Sequence, residues 1–195
     1  MKIALVTDAW LPQTNGVVRT LTVTAEKLAQ LGHEVVPITP LDFRTVPCPT
    51  YPEIRLSLFA AGRVRQRLDE LDPDAVHIAT EGPLGLAARR WCLRRGRDFT
   101  TSYHTQFPEY VRARFPIPLG ISYAFLRWFH GKAAHTLVAT PSMRASLEAR
   151  GFRNLAYWSR GVDTNLFRPR DDPCLDVPRP IWLYFGRVSV EKGIE

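Results

Sequence analysis

Apolar residues along the chain change rhythm repeatedly, from short unbroken runs to helical spacing and back. Residues 2–7 (KIALVT) form an apolar run without polar alternation, as expected of a strand buried on both faces. A loop over 8–16 follows. From 17 to 31 the apolar positions Val17, Val18, Leu21, Leu28 and Leu31 recur at helical spacing, with Gly32 where a helix C-cap belongs. A second strand is predicted over 34–38, ended by Pro37 and Pro40, and the proline-rich stretch 37–52 reads as an irregular surface excursion. The alternation then repeats: helix 62–71, strand 75–79, helix 84–95, strand 99–103, two helical pieces within 107–132 separated by Pro116 and Pro118, strand 136–139, helix 141–150 and strand 154–158. Strictly alternating strands and helices imply an α/β fold, a doubly wound parallel sheet with right-handed crossovers. After Gly161 the chain turns polar and proline-containing, and a new apolar strand is expected at 181–185.

Composition narrows the class. With 195 residues, 45% hydrophobic and 23% charged, the chain has the balance of a globular domain and neither that of a disordered segment nor that of a coiled coil. Its apolar stretch at 115–126 is interrupted by Pro116 and Pro118, so it does not read as a membrane span, and the apolar start ends at Asp8, too early for a signal peptide. Cys48, Cys92 and Cys174 show no CxxC spacing, so neither a disulfide framework nor a zinc site is suggested and a reducing cytoplasm is the expected compartment.

The net charge of +7 is concentrated. Between residues 86 and 132, nine basic side chains (Arg89, Arg90, Arg94, Arg95, Arg97, Arg112, Arg114, Arg127 and Lys132) face two acidic ones, Asp98 and Glu109. A local excess of this kind suits a phosphorylated ligand, an anionic lipid surface or nucleic acid, and equally a solvated arginine-rich face whose stems cover apolar surface. No basic-aromatic module or helix-turn-helix pattern accompanies it, which argues against nucleic acid.

Ligands of open parallel sheets bind beyond the carboxyl ends of the strands, so candidate chemistry is sought in those loops. Asn15-Gly16 immediately precedes a helix, where unpaired N–H groups and a residue without Cβ let a phosphate approach; the same dipeptide is also an ordinary turn. The GxGxxG fingerprint of dinucleotide enzymes is absent. His104 follows the strand at 99–103 and so stands at the ligand edge. His33, His77, His130 and His135 have no spacing that would make a metal cage. Glu81 also ends a strand, where it either orients a substrate hydroxyl or complements a helix N-terminus. Arg187 and Lys192 flank a tight loop after the last strand, a fork and a point charge suited to a diphosphate.

Several blocks in order carry a resemblance: TDAWLPQTNGVVRTL at 7–21, LGHEV at 31–35, the segments 73–85, 102–110 and 160–169, and FGRVSVEKG at 185–193. Together they resemble the retaining nucleotide-sugar glycosyltransferases of family 4, with the GT-B fold, and the opening is similar to bacterial mannosyltransferases and glycolipid glycosyltransferases of that group. The resemblance implies two Rossmann-like domains facing a cleft, an acceptor-side domain over residues 1–170, and at 171–195 a linker and only the first strand and loop of the donor-binding domain. It implies a UDP- or GDP-sugar donor, which is a substrate rather than a cofactor, a lipid or saccharide acceptor, and no metal. Gly16 would approach the donor diphosphate with Asn15 beside it, His104 would contact the transferred sugar near its anomeric carbon, and Arg187 with Lys192 would neutralise the leaving diphosphate. The family's paired glutamates belong to the second domain, so the isolated chain is expected to be inactive. Ser159-Arg160 departs from the Pro-Asn of many relatives. The alternative is a non-catalytic acceptor- or membrane-binding module.

Phe107, Tyr110, Phe115, Tyr123, Phe125, Trp128 and Phe129 interleave with Arg112, Arg114, Arg127 and Lys132. That mixture suits either peripheral contact with an anionic membrane, at the inner face of the cell membrane, or a helix pair buried by its aromatics.

Overall fold

The computed structural model describes residues 1–48, 51–169, 177–178 and 180–186. Its main sheet contains β1 (Lys2–Val6), β2 (Glu34–Ile38), β5 (Ala75–Ile78), β6 (Thr100–Tyr103), β7 (His135–Val138) and β8 (Leu155–Tyr157), in the order β2-β1-β5-β6-β7-β8 and parallel throughout. The helices are α1 (Gly16–Gln30), α2 (Ala60–Leu71), α3 (Pro83–Arg95), α4 (Phe107–Arg114), α5 (Leu119–His130) and α6 (Pro141–Ala149). This is the Rossmann-like α/β architecture expected of a GT-B first domain.

Strand order and handedness together decide which face each helix covers. The chain steps from β1 to β2 in one direction and thereafter moves the other way, so right-handed crossovers put α1 on one face and the later helices on the other. On the crowded face Ala4, Val6, Val76 and Ile78 pack against Val64 and Leu68 of α2, Leu84 and Ala88 of α3, and Phe129 of α5. Further along, Tyr103, Val138 and Leu155 close on Tyr123 and Leu126 of α5 and Leu147 of α6. On the opposite face α1 sets Leu21 on Leu5 and Ala79. Beside it a cavity of about 450 Å³ remains over the sheet, lined by Leu5, Leu28, His77, Leu137 and Trp158 among others.

Three expectations need correction. Pro37 does not end β2: it pairs with Leu5 in register. Glu34 N–H and the Ile38 carbonyl bond inward to β1, so Pro37, of opposite parity, turns its missing donor to the free edge and no ladder bond is lost. The stretch 37–52 is not irregular throughout, because β3 (Thr45–Cys48) and β4 (Tyr51–Ser57) pair as an antiparallel hairpin after a short 3-10 turn at Pro40–Asp42. A two-stranded ribbon leaves half of its backbone groups unpaired anyway, which is where prolines fit. Finally, residues 181–185 form no strand; among the described residues no neighbouring strand accepts them, and Trp182 and Phe185 stand 93% and 96% exposed.

Arg89 shows how the basic window is used. Its guanidinium is buried, donates to the carbonyls of Phe129 (2.9 Å) and Trp128 (2.8 Å), and lies 4.1 Å from the Trp128 ring centre. It closes the C-terminus of α5, where a cation also meets the negative end of the helix dipole. Arg95 pairs with Asp69, and Arg97 with Asp72.

Two glycines test the packing. A Cβ on Gly85 would lie 1.9 Å from the carbonyl oxygen of Thr80, whereas one on Gly62 meets nothing within 4 Å. Gly85→Ala is expected to lose about 3 kcal/mol in urea unfolding through overpacking. Gly62→Ala, in the first turn of α2, should instead gain about 0.5 kcal/mol from helix propensity.

Candidate functional site

The loops after β1, β5, β6 and β8 meet at one edge of the sheet, and a buried carboxylate ties the first two together. Asp8 Oδ1 accepts from the amide of Leu84 (2.9 Å), and Oδ2 accepts from Gly85 N–H (3.3 Å) and the Thr80 hydroxyl (2.8 Å). Thr80 Oγ1 in turn accepts from Asp8 N–H at 2.7 Å. The N-cap of α3 is Gly82, which has no side chain to satisfy the first amides, so Asp8 caps the helix from another loop. Gly82 leaves it the room: a Cβ there would fall 2.5 Å from Asp8 Cγ. Burial pushes the Asp8 carboxyl up to about 6; hydrogen bonds from Leu84, Thr80 and Gly85 pull the other way, and the charge of Glu81 adds to the rise.

Asn15 is the N-cap of α1, and its Oδ1 accepts from Val17 N–H and Val18 N–H, each at 3.0 Å. Its carboxamide is thereby committed to the helix. Gly16 is exposed at the start of α1, and a Cβ there would approach only Arg160 Nη1, at 3.9 Å.

Glu81 Oε1 lies 3.1 Å from Nε2 of His130, a fully buried residue. From there a polar chain crosses the core: His130 Nδ1 to Thr101 Oγ1 (2.9 Å), Thr101 to Thr136 Oγ1 (3.0 Å), and Asn154 Nδ2 to Thr136 Oγ1 (3.2 Å). Asn154 also donates to the carbonyls of His130 and Ala133. Buried polar groups need such partners, and this chain anchors the Glu81 loop to β6, β7 and the segment entering β8.

His104 directly follows β6. Its Nδ1 accepts from Arg160 Nη2 (3.2 Å), which also donates to the His104 carbonyl (3.3 Å). Nε2 is enclosed and finds no hydrogen-bond partner among the described residues. The Trp158 ring packs edge-on at 6.0 Å from His104 and at 6.1 Å from His77. Burial, then Arg160, then His77 bring the His104 imidazole down to about 3, so it stays neutral at physiological pH. A neutral imidazole can donate or accept one hydrogen bond per nitrogen but is no store of positive charge.

The edge thus brings Gly16, Arg160 and His104 together. Glu81 is held apart on His130, and Arg187 and Lys192 lie outside the described residues. Sequence reasoning missed Asp8 and Arg160 as members of the edge. The signal for Asp8 was its place at the end of β1; for Arg160 it was the departure from Pro-Asn after the last strand. Among the described residues no group of three or more His, Cys, Asp or Glu could hold a metal ion.

With this geometry in hand, the comparisons agree with one another. Residues 14–166 match Glycosyltransferase Family 4. The whole chain is 27% identical to a GDP-mannose-dependent alpha-mannosyltransferase of Mycobacterium tuberculosis, of which it covers 58%. Over 86% of its length it is 27% identical to sulfoquinovosyl transferase SQD2 of Arabidopsis thaliana, covering 38% of that protein. Over 57% of its length it is 31% identical to alpha-monoglucosyldiacylglycerol synthase of Acholeplasma laidlawii, covering 31%. The chain therefore spans little more than half the length of the mannosyltransferase it matches.

Because the folded Asp8 carboxyl titrates near 6 and the unfolded one near 3.8, the folded state binds more protons between these values. This contribution therefore falls as pH rises from about 4 to 6, by about 3 kcal/mol in full. The stability difference between wild type and Asp8→Asn, followed by urea unfolding across that window, should change with this sign, and the Asp8 carboxyl carbon should titrate near 6 by NMR.

Proposed function

The chain belongs to glycosyltransferase family 4, and we propose that it forms the acceptor-side domain of a retaining enzyme that moves a sugar from a UDP- or GDP-sugar to a lipid or saccharide acceptor. The observation that carries this reading is the match of the whole chain to 58% of a mannosyltransferase. It is supported by the edge at which the α1 N-terminus, Arg160 and a neutral His104 converge. The names of the relatives favour a GDP-sugar as donor and a lipid as acceptor.

In this reading, Gly16 leaves space at the N-terminus of α1, where amide dipoles favour a phosphoryl oxygen. His104 offers a hydrogen bond near the reacting sugar. Charge that builds on the departing diphosphate calls for cations and dipoles, and the family resemblance gives Arg187 and Lys192 that role. No metal enters the reading.

The membrane reading has its own observation. Helix α5 carries two apolar stripes: Tyr123, Leu126 and Phe129 turn into the core, while Ile121, Phe125 and Trp128, spaced i, i+4 and i+7, stand 62%, 37% and 54% exposed. Phe115, Ile117 and Leu119 extend the outer stripe, and Arg112, Arg127 and Lys132 are exposed on the same stretch. The buried-pair and membrane expectations thus divide between the two stripes. The outer one suits an anionic lipid surface at the inner face of a cell membrane.

The transferase reading is tested with a chimera in which this chain replaces the part of the M. tuberculosis relative it matches. The chimera is expected to transfer labelled mannose from GDP-mannose, while the isolated chain, lacking most donor contacts, transfers none. His104→Ala in the chimera should lower kcat about 100-fold, the size for one lost donor to the reacting centre, with little change in acceptor KM. A folded chimera that binds acceptor lipid yet never transfers would favour the non-catalytic module. For the membrane surface, sedimentation should show binding to phosphatidylglycerol vesicles that weakens with added salt, and Phe125→Glu should abolish it without unfolding the chain. Equal binding to neutral phosphatidylcholine vesicles, or none to either, would refute it.

A further inference from the structure

Arg160 stands in the exposed chain segment after β8, and its guanidinium reaches back across the ligand edge to one imidazole. Two contacts from the same nitrogen, to Nδ1 and to the backbone carbonyl of His104, fix both the ring and the strand end that carries it. A guanidinium has five donors and no acceptor, so whatever it touches at the ring must be a lone pair. We propose that Arg160 is a positioning residue which holds His104 in the tautomer bearing its proton on Nε2, leaving that N–H as the ring's one donor to a sugar oxygen.

The enclosed Nε2 fits this assignment. It has no partner among the described residues, whereas buried polar groups are nearly always hydrogen-bonded. Arg160 also works against a second proton. The groups facing the imidazole are Arg160 from the segment after β8, His77 from β5 and the uncharged Trp158 ring; His77 is itself lowered to about 4 by burial and stays neutral. The guanidinium is therefore the fixed charge that opposes an imidazolium here. The use of the N–H rests on the transferase reading, whereas the tautomer and its control by Arg160 do not.

The test needs no substrate. Long-range nitrogen NMR on the 195-residue chain labelled at histidine should show His104 with an acceptor-type Nδ1 and a protonated Nε2, unchanged from pH 8 to pH 5. Arg160→Ala should mix the tautomers and raise the His104 titration above its wild-type value, though not to that of a free imidazole, because burial, the larger cause, remains. Arg160→Lys, which keeps a charged, donor-only group, should retain both the tautomer and the low titration. The His130 signals, held by Glu81 and Thr101, report that the fold is intact in each variant. A wild-type His104 protonated on Nδ1, or an Arg160→Ala spectrum identical to wild type in a folded chain, would overturn the proposal. Either result would leave the transferase reading standing, and an inactive chimera would leave the tautomer assignment standing.

Discussion

Asp8 sits where the chain reverses direction across the sheet, and its carboxylate is shared by the loops after β1 and β5. At that switch point α1 departs to one face and α3 to the other, so the two loops diverge and nothing in the backbone ladder joins them. The side chain supplies the join. It caps α3, whose own N-cap is a glycine, and thereby sets the loop that presents Glu81. Glu81 then leans on His130, and His130 on the hydroxyls of β6 and β7. Desolvating the carboxylate raises its pKa, and the amides of Leu84 and Gly85 are what make its burial tolerable. The geometry of the Glu81 loop is inherited from this one group.

Which parts of this were legible in the sequence follows from the range of the interactions. The run at β1, the helical spacing of α1 and the prolines around α4 and α5 are local signals, and the elements appear within a few residues of their expected places. The family too was legible, because its blocks are contiguous. His104 was placed at a strand end by the same local logic, but the arginine that bonds it lies 56 positions away. Asp8 and Leu84 are 76 apart, and Glu81 and His130 are 49 apart. No spacing rule along the chain reports such pairs. The hairpin of β3 and β4 was obscured for a different reason: its prolines weigh against strand, and only pairing in a ribbon makes them acceptable.

The basic character of the chain resolves into different uses of one residue type. Arg89 is structural, satisfying the end of α5 from within the core, and Arg127 donates to the carbonyl of Arg150. Arg95 and Arg97 are neutralised by aspartates. What remains for an anionic partner is a smaller set that includes exposed Arg90, Arg94, Arg112 and Lys132. A net charge read from composition therefore overstates the field available to a ligand, since part of it is spent on helix ends and ion pairs.

The outward parity of Pro37 bears on how such molecules can associate. β2 borders the sheet, and its residues that turn away from β1 are Val35 and Pro37, so this border offers one amide where an incoming strand would seek two. At the opposite border β8 is three residues long. Neither side can template a lengthening ladder, the route by which open sheets polymerise. Copies of this domain at high concentration, or crowded on a surface, are left to meet through side chains, which keeps a half-open α/β sheet from seeding fibres.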